Sequence, residues 1–313
     1  MDEELLSHAT DHRTAHVLTT ALRLRVDSAL HKSLEGTVLK GVLAKRPVAV
    51  KIASTIDGRE TRFLQQCRKC KNVLHVIMSL QVHCFGILIT PYAASGSLAD
   101  VLTHHHLNEE AILAFASQIL RGVAFVHEQN IAHRDLKPDN IFVFESGRAV
   151  IGDFGLATDV LKDDLSVIER LCGSPAFMPP EMIYALATAT TTPVFPTNRE
   201  LWPWDPMLHD MWSLGCTFIE LSGHSLSTLV GDREDNTRER YHEQYDAQTF
   251  AMFAQNYHPP SAPLHAVIAT LLLDADLRPD AKDIVLPALT KQPVSLPELT
   301  TVVPGQPKPL SLQ

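Results

Sequence analysis

Four polar side chains near the middle of the sequence have types and spacing that suit chemistry on phosphate. Asp135, Lys137 and Asn140 lie within six residues, and Asp153 follows 18 residues after Asp135. Residues 141–152 contain two short apolar runs separated by a polar turn, which predicts a β-hairpin. The hairpin would bring the two aspartates together. Carboxylate and amide oxygens are the hard ligands that Mg²⁺ requires, so the spacing predicts a metal-assisted reaction.

The sequence around these residues resembles the catalytic loop and the metal loop of eukaryotic protein kinases. The two motifs are His133-Arg134-Asp135-Leu136-Lys137-Pro138-Asp139-Asn140 and Asp153-Phe154-Gly155. Further motifs appear in the kinase order: Val48-Ala49-Val50-Lys51, Gly173-Ser174-Pro175-Ala176-Phe177-Met178-Pro179-Pro180-Glu181, Asp210-Met211-Trp212-Ser213-Leu214-Gly215 and Asp276-Leu277-Arg278-Pro279. The resemblance covers residues 20–290, and the lysine at position 137 is similar to the serine/threonine branch.

The resemblance implies catalytic and metal-binding roles within these motifs. Asp135 would orient the proton of the substrate hydroxyl, and Lys137 would reach the transferring phosphate. Ser174 would lie where the serine/threonine branch carries a hydroxyl that touches both, although it could equally be a plain loop serine. Asn140 and Asp153 would hold Mg²⁺.

The resemblance also implies an ATP site in the N-terminal third of the chain. Lys51 would bind the α- and β-phosphates, and Glu60 on the following helix is the best carboxylate partner for it. The alternative for Glu60 is an exposed helix acid. The resemblance also makes Thr90 the gatekeeper and places the backbone of residues 91–93, which include Tyr92 and Ala93, at the adenine edge, with Gly36 in the glycine-rich loop. Val38, Ala49 and Phe142 would sandwich the base, although all three are equally explained as core residues.

Three further residues would stabilise the region around the site. Asp210 would accept hydrogen bonds from the backbone of the catalytic loop, and Glu181 would pair with Arg278. These roles are implied by the resemblance and are structural rather than chemical.

The glycine-rich loop departs from the family pattern. Only Gly36 stands where the family has its third glycine, and His31 and Ser33 occupy the first two places. Glycine lets the backbone approach phosphates closely, so nucleotide affinity should suffer. The alternative to an ATP-dependent serine/threonine protein kinase is therefore a pseudokinase scaffold. Because all the charged catalytic positions remain, we favour the active enzyme.

The activation segment also departs from the pattern. Arg134 resembles the arginine that many kinases use to bind an activation-loop phosphate, yet Arg170 occupies what resembles the usual phosphorylation position. The negative charge that binds Arg134 could come from a phosphate on Ser166 or Thr158. It could instead come from the fixed carboxylates of Asp163, Asp164 or Glu169. Residues 182–209 form a longer connection than is usual in the family, either a substrate platform or a tolerated surface loop.

The periodicity predicts an α+β, bilobal, protein-kinase-like fold. Apolar or alternating runs at 22–26, 37–43, 47–53, 74–80 and 84–90 predict five strands, and residues 57–69 predict one helix. The remainder is mainly helical, with predicted helices at 109–129 (capped by Asn108), 210–221, 247–255, 264–273 and 280–289. We predict an N-terminal extension at 1–20 and a kinase domain at 21–290. Its N-lobe is 21–90, its hinge 91–96 and its C-lobe 97–290; a Pro-rich disordered tail follows at 291–313.

Composition excludes several other classes of protein. A net charge of −9 argues against a nucleic-acid-binding surface, and the apolar runs are too short to span a membrane. The acidic start is not typical of a secretory signal, so a cytoplasmic or nuclear protein is expected. The resemblance implies ATP and Mg²⁺ as cofactors and a protein with a Ser or Thr acceptor as partner.

Two groups of potential metal ligands have simpler interpretations. Cys67 and Cys70 have the spacing of half a zinc site, but no second pair follows at zinc-finger distance. His8, His12 and His16 could line one helix face, yet they lack acidic or cysteine partners. We therefore favour helix-end cysteines and solvent-facing histidines.

Overall fold

The computed structural model describes residues 2–32, 36–53, 58–163, 172–182, 205–224, 226, 262–273, 277–284 and 300–301. The chain divides into two compact units. The first comprises Met1–Ala94 and Gly152–Gly155, and the second comprises Ser95–Ile151 and Leu156–Gln313. The division at residue 94 falls inside the predicted connector.

The first unit contains the predicted five-stranded antiparallel sheet. Its strand order is β1-β2-β3-β5-β4. The strands are β1 (Arg25–Lys32), β2 (Thr37–Leu43), β3 (Arg46–Ala53), β4 (Met78–Val82) and β5 (Phe85–Pro91). Two strands begin later than predicted. β1 begins at Arg25 rather than at residue 22, and most of it is exposed on both faces without alternation. β4 begins at Met78 rather than at residue 74, so the buried Val73 and Leu74 lie before it.

Three helices accompany the sheet: α1 (Asp2–Ala9), α2 (His12–Thr20) and α3 (Gly58–Gln66). Leu6 and Leu18 are fully buried in one cluster with Val50 and Ile52 of β3. Because side chains alternate along a strand, this cluster lies on the sheet face opposite Lys51. The Thr14 hydroxyl lies 2.9 Å from His83 Nδ1 in the turn between β4 and β5, which also holds α2 on the sheet.

The N-terminal histidines face solvent, as the sequence predicts. His8 ends up on α1 whereas His12 and His16 lie on α2, and all three are exposed. Among the described residues, no group of three His, Cys, Asp or Glu side chains could hold a metal ion.

The second unit is mainly helical. Its helices are α4 (Leu98–His104), α5 (Glu109–Glu128), α6 (Pro206–Leu221) and α7 (Ala262–Leu271). Three short pairs of strands complete it: β6 (His105–His106) with β11 (Thr300–Thr301), β7 (Ile131–Ala132) with β10 (Thr158–Asp159), and β8 (Ile141–Val143) with β9 (Ala149–Ile151). Helical turns of the 3₁₀ type occur at Pro138–Asn140, Phe154–Leu156, Pro175–Phe177 and Ala281–Asp283.

The long helix α5 and the hairpin β8–β9 confirm the two clearest local predictions. The Asn108 side chain caps α5 by accepting a hydrogen bond of 2.9 Å from the Ala111 amide. In the described part of the chain, α5 alone is long and apolar enough to cross a membrane. More than half of that stretch is buried inside the protein, which explains its apolar character as that of a core helix.

Several predicted elements lie wholly or partly outside the described residues. They include the helix at 247–255 and most of the helix at 280–289, of which the described part is the turn Ala281–Asp283. Within the predicted tail at 291–313, only the strand Thr300–Thr301 is described.

Removing a buried side chain of α2 should destabilise the protein. We expect Leu18→Ala, at a fully buried position, to lower the free energy of unfolding by about 2 to 5 kcal/mol because it leaves a cavity in the sheet's core. Urea denaturation measures the change. His16→Ala on the exposed side of α2 should change it by less than about 0.5 kcal/mol. Equal losses of stability in the two variants would contradict a core shared by α2 and the sheet.

Candidate active site

Three of the predicted nucleotide contacts, Val38, Ala49 and Thr90, lie on the face of the first unit's sheet that carries Lys51. Val38 pairs directly with Lys51, and Thr90 pairs directly with Ala49. Because directly opposed residues point to the same side of a sheet, these four side chains share one face. Val38 and Ala49 are half-buried and Thr90 is buried.

Gly36 has a structural reason to be glycine. Its φ is +153°, and a Cβ at this position would collide with the carbonyl oxygen of Ile52. Glycine therefore permits the close approach of β2 to the end of β3, whether or not a nucleotide is bound. His31 lies in β1 opposite Val38, and Ser33 lies outside the described residues.

Lys51 is held by two carboxylates. Its Nζ donates hydrogen bonds of 3.1 Å to both oxygens of Glu60 and of 2.9 Å to Asp153 Oδ1. Glu60 is buried in the first turn of α3, so it is not an exposed helix acid. Burial alone would lower the pKa of Lys51, but Asp153 and Glu60 raise it above its ordinary value. The ammonium therefore stays charged at neutral pH.

The remaining predicted adenine contacts are divided between the units. The Tyr92 amide donates to the Pro47 carbonyl at 3.3 Å, and Lys40 Nζ lies 4.7 Å from the centre of the Tyr92 ring. Ala93 is buried. Phe142 belongs to the second unit, where it forms a bridge with Ser97.

In the second unit, a network of hydrogen bonds holds Asp135. Its Oδ1 accepts from the Ser174 amide at 2.8 Å, and its Oδ2 accepts from Asn140 Nδ2 at 2.8 Å. Lys137 Nζ lies 3.2 Å from Asp135 Oδ2 and donates to Ser174 Oγ at 2.6 Å. The structure therefore brings the three predicted catalytic residues together and gives Ser174 specific partners.

Asn140 of the second unit and Asp153 of the first unit each carry an oxygen donor of the kind that Mg²⁺ takes. The Asn140 nitrogen donates to both the carboxylate and the backbone carbonyl of Asp135, which turns the amide oxygen away from that aspartate. The side chain of Asp153 is 44% exposed and carries a carboxylate. An amide oxygen and a partly exposed carboxylate are the hard ligands that this ion takes.

Asp210 anchors the catalytic loop, as the sequence predicts. Its carboxylate is fully buried and accepts hydrogen bonds from the backbone amides of His133 at 2.6 Å and Arg134 at 2.7 Å. His127 Nε2 donates to it at 2.9 Å. Burial alone would raise the pKa of Asp210, but the hydrogen bond from His127 and the nearby histidines hold it below its usual value.

His127 is a partner of Asp210 that no sequence motif indicated. It lies in the last turn of α5, 83 residues before Asp210, and its partner is set by the packing of α5 near α6. Its position six residues before His133 was the available signal, but spacing alone gives no direction to a side chain.

The predicted pair of Glu181 and Arg278 is present. Arg278 donates two nearly parallel hydrogen bonds to the carboxylate, of 2.6 and 2.8 Å. Its guanidinium also donates to the carbonyls of Leu208 and Leu273 and stacks 5.0 Å from the Trp212 ring centre. This arginine joins the end of the activation segment to α6 and to the segment after α7.

Thr158 is a poor candidate for activation-segment phosphorylation. It is fully buried in β10, and its hydroxyl donates to Asp163 Oδ2 at 3.0 Å. Asp163 also accepts from the Asp159 amide, so its charge is used locally. The Arg134 side chain is buried and donates to the Leu156 carbonyl. The other candidates, Asp164, Ser166 and Glu169, lie outside the described residues, as does Arg170.

Breaking the Glu181–Arg278 pair should cost more than breaking a surface pair. The Arg278 side chain is 1% exposed, so Arg278→Ala should lower the free energy of unfolding by about 3 to 5 kcal/mol, since it strands a partly buried carboxylate. Lys282→Ala is the matched control. Lys282 pairs with Asp280 at the surface, and its loss should cost less than about 1 kcal/mol. If the two variants lower the free energy of unfolding equally in urea denaturation, the Glu181–Arg278 pair is not the stabilising contact described here.

Comparison with known proteins agrees with this geometry. The protein kinase domain profile matches residues 28–295. Relatives include the serine/threonine-protein kinase PAK mbt of Drosophila melanogaster (31% identity over 48% of this chain and 21% of the relative). PAK 4 of Mus musculus has 33% identity over 43% of the chain, and RAD53 of Saccharomyces cerevisiae has 29% over 64%. The matches cover only 20 to 24% of these three relatives. The chain belongs to the eukaryotic-type serine/threonine protein kinase family.

Proposed function

We propose that this protein is an active serine/threonine protein kinase that transfers the γ-phosphate of ATP to a hydroxyl of a protein substrate. The observation that carries the proposal is the arrangement around Asp135. Its carboxylate is fixed by the Ser174 amide and Asn140, and Lys137 lies 3.2 Å away. A fixed hydrogen-bond acceptor beside a fixed cation is what transfer to a hydroxyl requires.

Each residue would act by position and charge. Mg²⁺ held by Asn140 and Asp153 would neutralise phosphate charge in the loose transition state. Lys51, oriented by Glu60, would bind the α- and β-phosphates. Asp135 would accept the hydrogen bond of the attacking hydroxyl, so that the oxygen's lone pair points at the phosphorus. Lys137 would stabilise the charge on the transferring group.

Selectivity for Ser and Thr hydroxyls is supported by the bond between Lys137 and Ser174 and by the relatives, whose names identify them as serine/threonine kinases. The lysine and the serine belong to the same hydrogen-bonded network as Asp135.

The alternative is a pseudokinase scaffold that binds partners without turnover. The observation that favours it is the glycine-rich loop, where His31 and Ser33 replace two glycines and Gly36 is explained by strand packing. Catalytic turnover separates the two functions because both share the fold.

Replacing Asp135 should abolish transfer without abolishing nucleotide binding. We expect Asp135→Asn to lower kcat on a generic Ser/Thr peptide by about 100-fold or more, since the interaction acts mainly in the transition state. ATP turnover by the purified protein is the measurement. Glu128→Gln, which removes an exposed carboxylate at the end of α5, should leave kcat unchanged. A wild-type protein that phosphorylates neither any substrate nor itself would favour the scaffold.

Mg-ATP should stabilise the protein against heat. At a concentration 100-fold above its Kd, the expected gain is about 2.7 kcal/mol. The shift should shrink in Asp153→Asn, which removes an anionic ligand from a hard cation, and persist in Asp135→Asn. Differential scanning fluorimetry provides the measurement. No shift for the wild-type protein at millimolar Mg-ATP would count against nucleotide binding altogether.

A further inference from the structure

His209 is a buried polar side chain to which the proposed mechanism gives no role. It lies in α6 immediately before Asp210 and is 2% exposed. Within the described part of the chain, its Nδ1 has no hydrogen-bond partner. A buried polar atom without a hydrogen-bond partner costs stability.

The ring lies next to Gly173. A Cβ placed on Gly173 would lie 2.5 Å from the carbonyl oxygen of Arg134, and 3.4 Å from Cε1 and 3.6 Å from Nε2 of His209. The space beside the Gly173 Cα is therefore bordered by the backbone of the catalytic loop and by the imidazole. Gly173 has a φ of +114°, a conformation that residues with a Cβ rarely adopt.

The next residue connects this packing to the chemistry. The Ser174 amide donates to Asp135 Oδ1 at 2.8 Å, and the Ser174 hydroxyl accepts from Lys137. The ring of His209 fills space beside Gly173, so it limits how far the backbone just before Ser174 can move.

We propose that His209 is a positioning residue: its ring backs Gly173 and so keeps the Ser174 amide on Asp135. The consequence for catalysis rests on the proposed kinase function. The expected effect on the backbone does not rest on that function, because it concerns only how well ordered the activation segment is.

The electrostatics agree with a neutral, space-filling ring. Burial lowers the pKa of His209 to about 4, although the negative charges of Asp210, Glu181 and Asp135 oppose that shift and Arg134 supports it. An unfolded histidine titrates near 6.5. Between these values the unfolded chain binds a proton that the folded chain does not, so the stability associated with His209 falls as the pH drops from about 6.5 to 4.

Hydrogen exchange tests the packing directly. In full-length protein, we expect His209→Ala to speed exchange in a peptide covering residues 172–178 by about tenfold, with no change in a peptide from α5. His209→Leu, which restores apolar volume without a titrating group, should return exchange to the wild-type rate. It should also reduce the loss of stability between pH 6.5 and 5. Wild-type exchange at 172–178 in His209→Ala would overturn the proposal.

Kinetics then separate positioning from general damage. His209→Ala should lower kcat about tenfold while the KM for ATP stays constant, and His209→Leu should restore kcat. If His209→Ala does not fold, His209→Val leaves a smaller gap and is judged by the same two outcomes in exchange. An inactive wild-type protein would refute the proposed function and leave the exchange comparison decisive for His209. An active protein with unaltered exchange would refute only the role of His209.

Discussion

A carboxylate that is buried without water must receive hydrogen bonds from the protein, and the second unit is organised around this requirement at Asp210. Its bonds come from two consecutive backbone amides and His127. They hold the catalytic loop in a shape that it would not adopt alone, because Arg134 has a φ of +64° and this conformation costs about 1 to 2 kcal/mol in an L-residue. Asp135 and Lys137 extend from this fixed backbone.

The first unit meets the opposite requirement, since it must hold a cation partly accessible. The alternation of β3 solves it, because Val50 and Ile52 enter the core while Lys51 lies on the other face with 27% of its side chain exposed. Glu60 orients the ammonium from α3. Lys51, Glu60 and Asp153 are thus fixed relative to one another by their hydrogen bonds.

Local patterns predicted the parts of the structure that local forces determine. Helix α5, its cap at Asn108 and the hairpin after Asn140 followed from periodicity, and the kinase motifs indicated which charged groups would meet. Burial and long-range packing were not readable in this way. Thr158 has a hydroxyl and lies in the activation segment, where the sequence made it a candidate for phosphorylation, yet it is buried in β10. His209 reaches Gly173 because α6 packs beside the activation segment, and no local pattern records that proximity.

The burial of Leu6 and Leu18 beneath the sheet has a consequence for how the chain folds. These side chains share a cluster with Ile87 and Ile89 of β5, so α1 and α2 are synthesised long before the strand that completes their environment. Contacts of such large sequence separation form slowly because the intervening loop must be closed first. During synthesis the apolar side chains of the two helices therefore lack part of their core until β5 emerges.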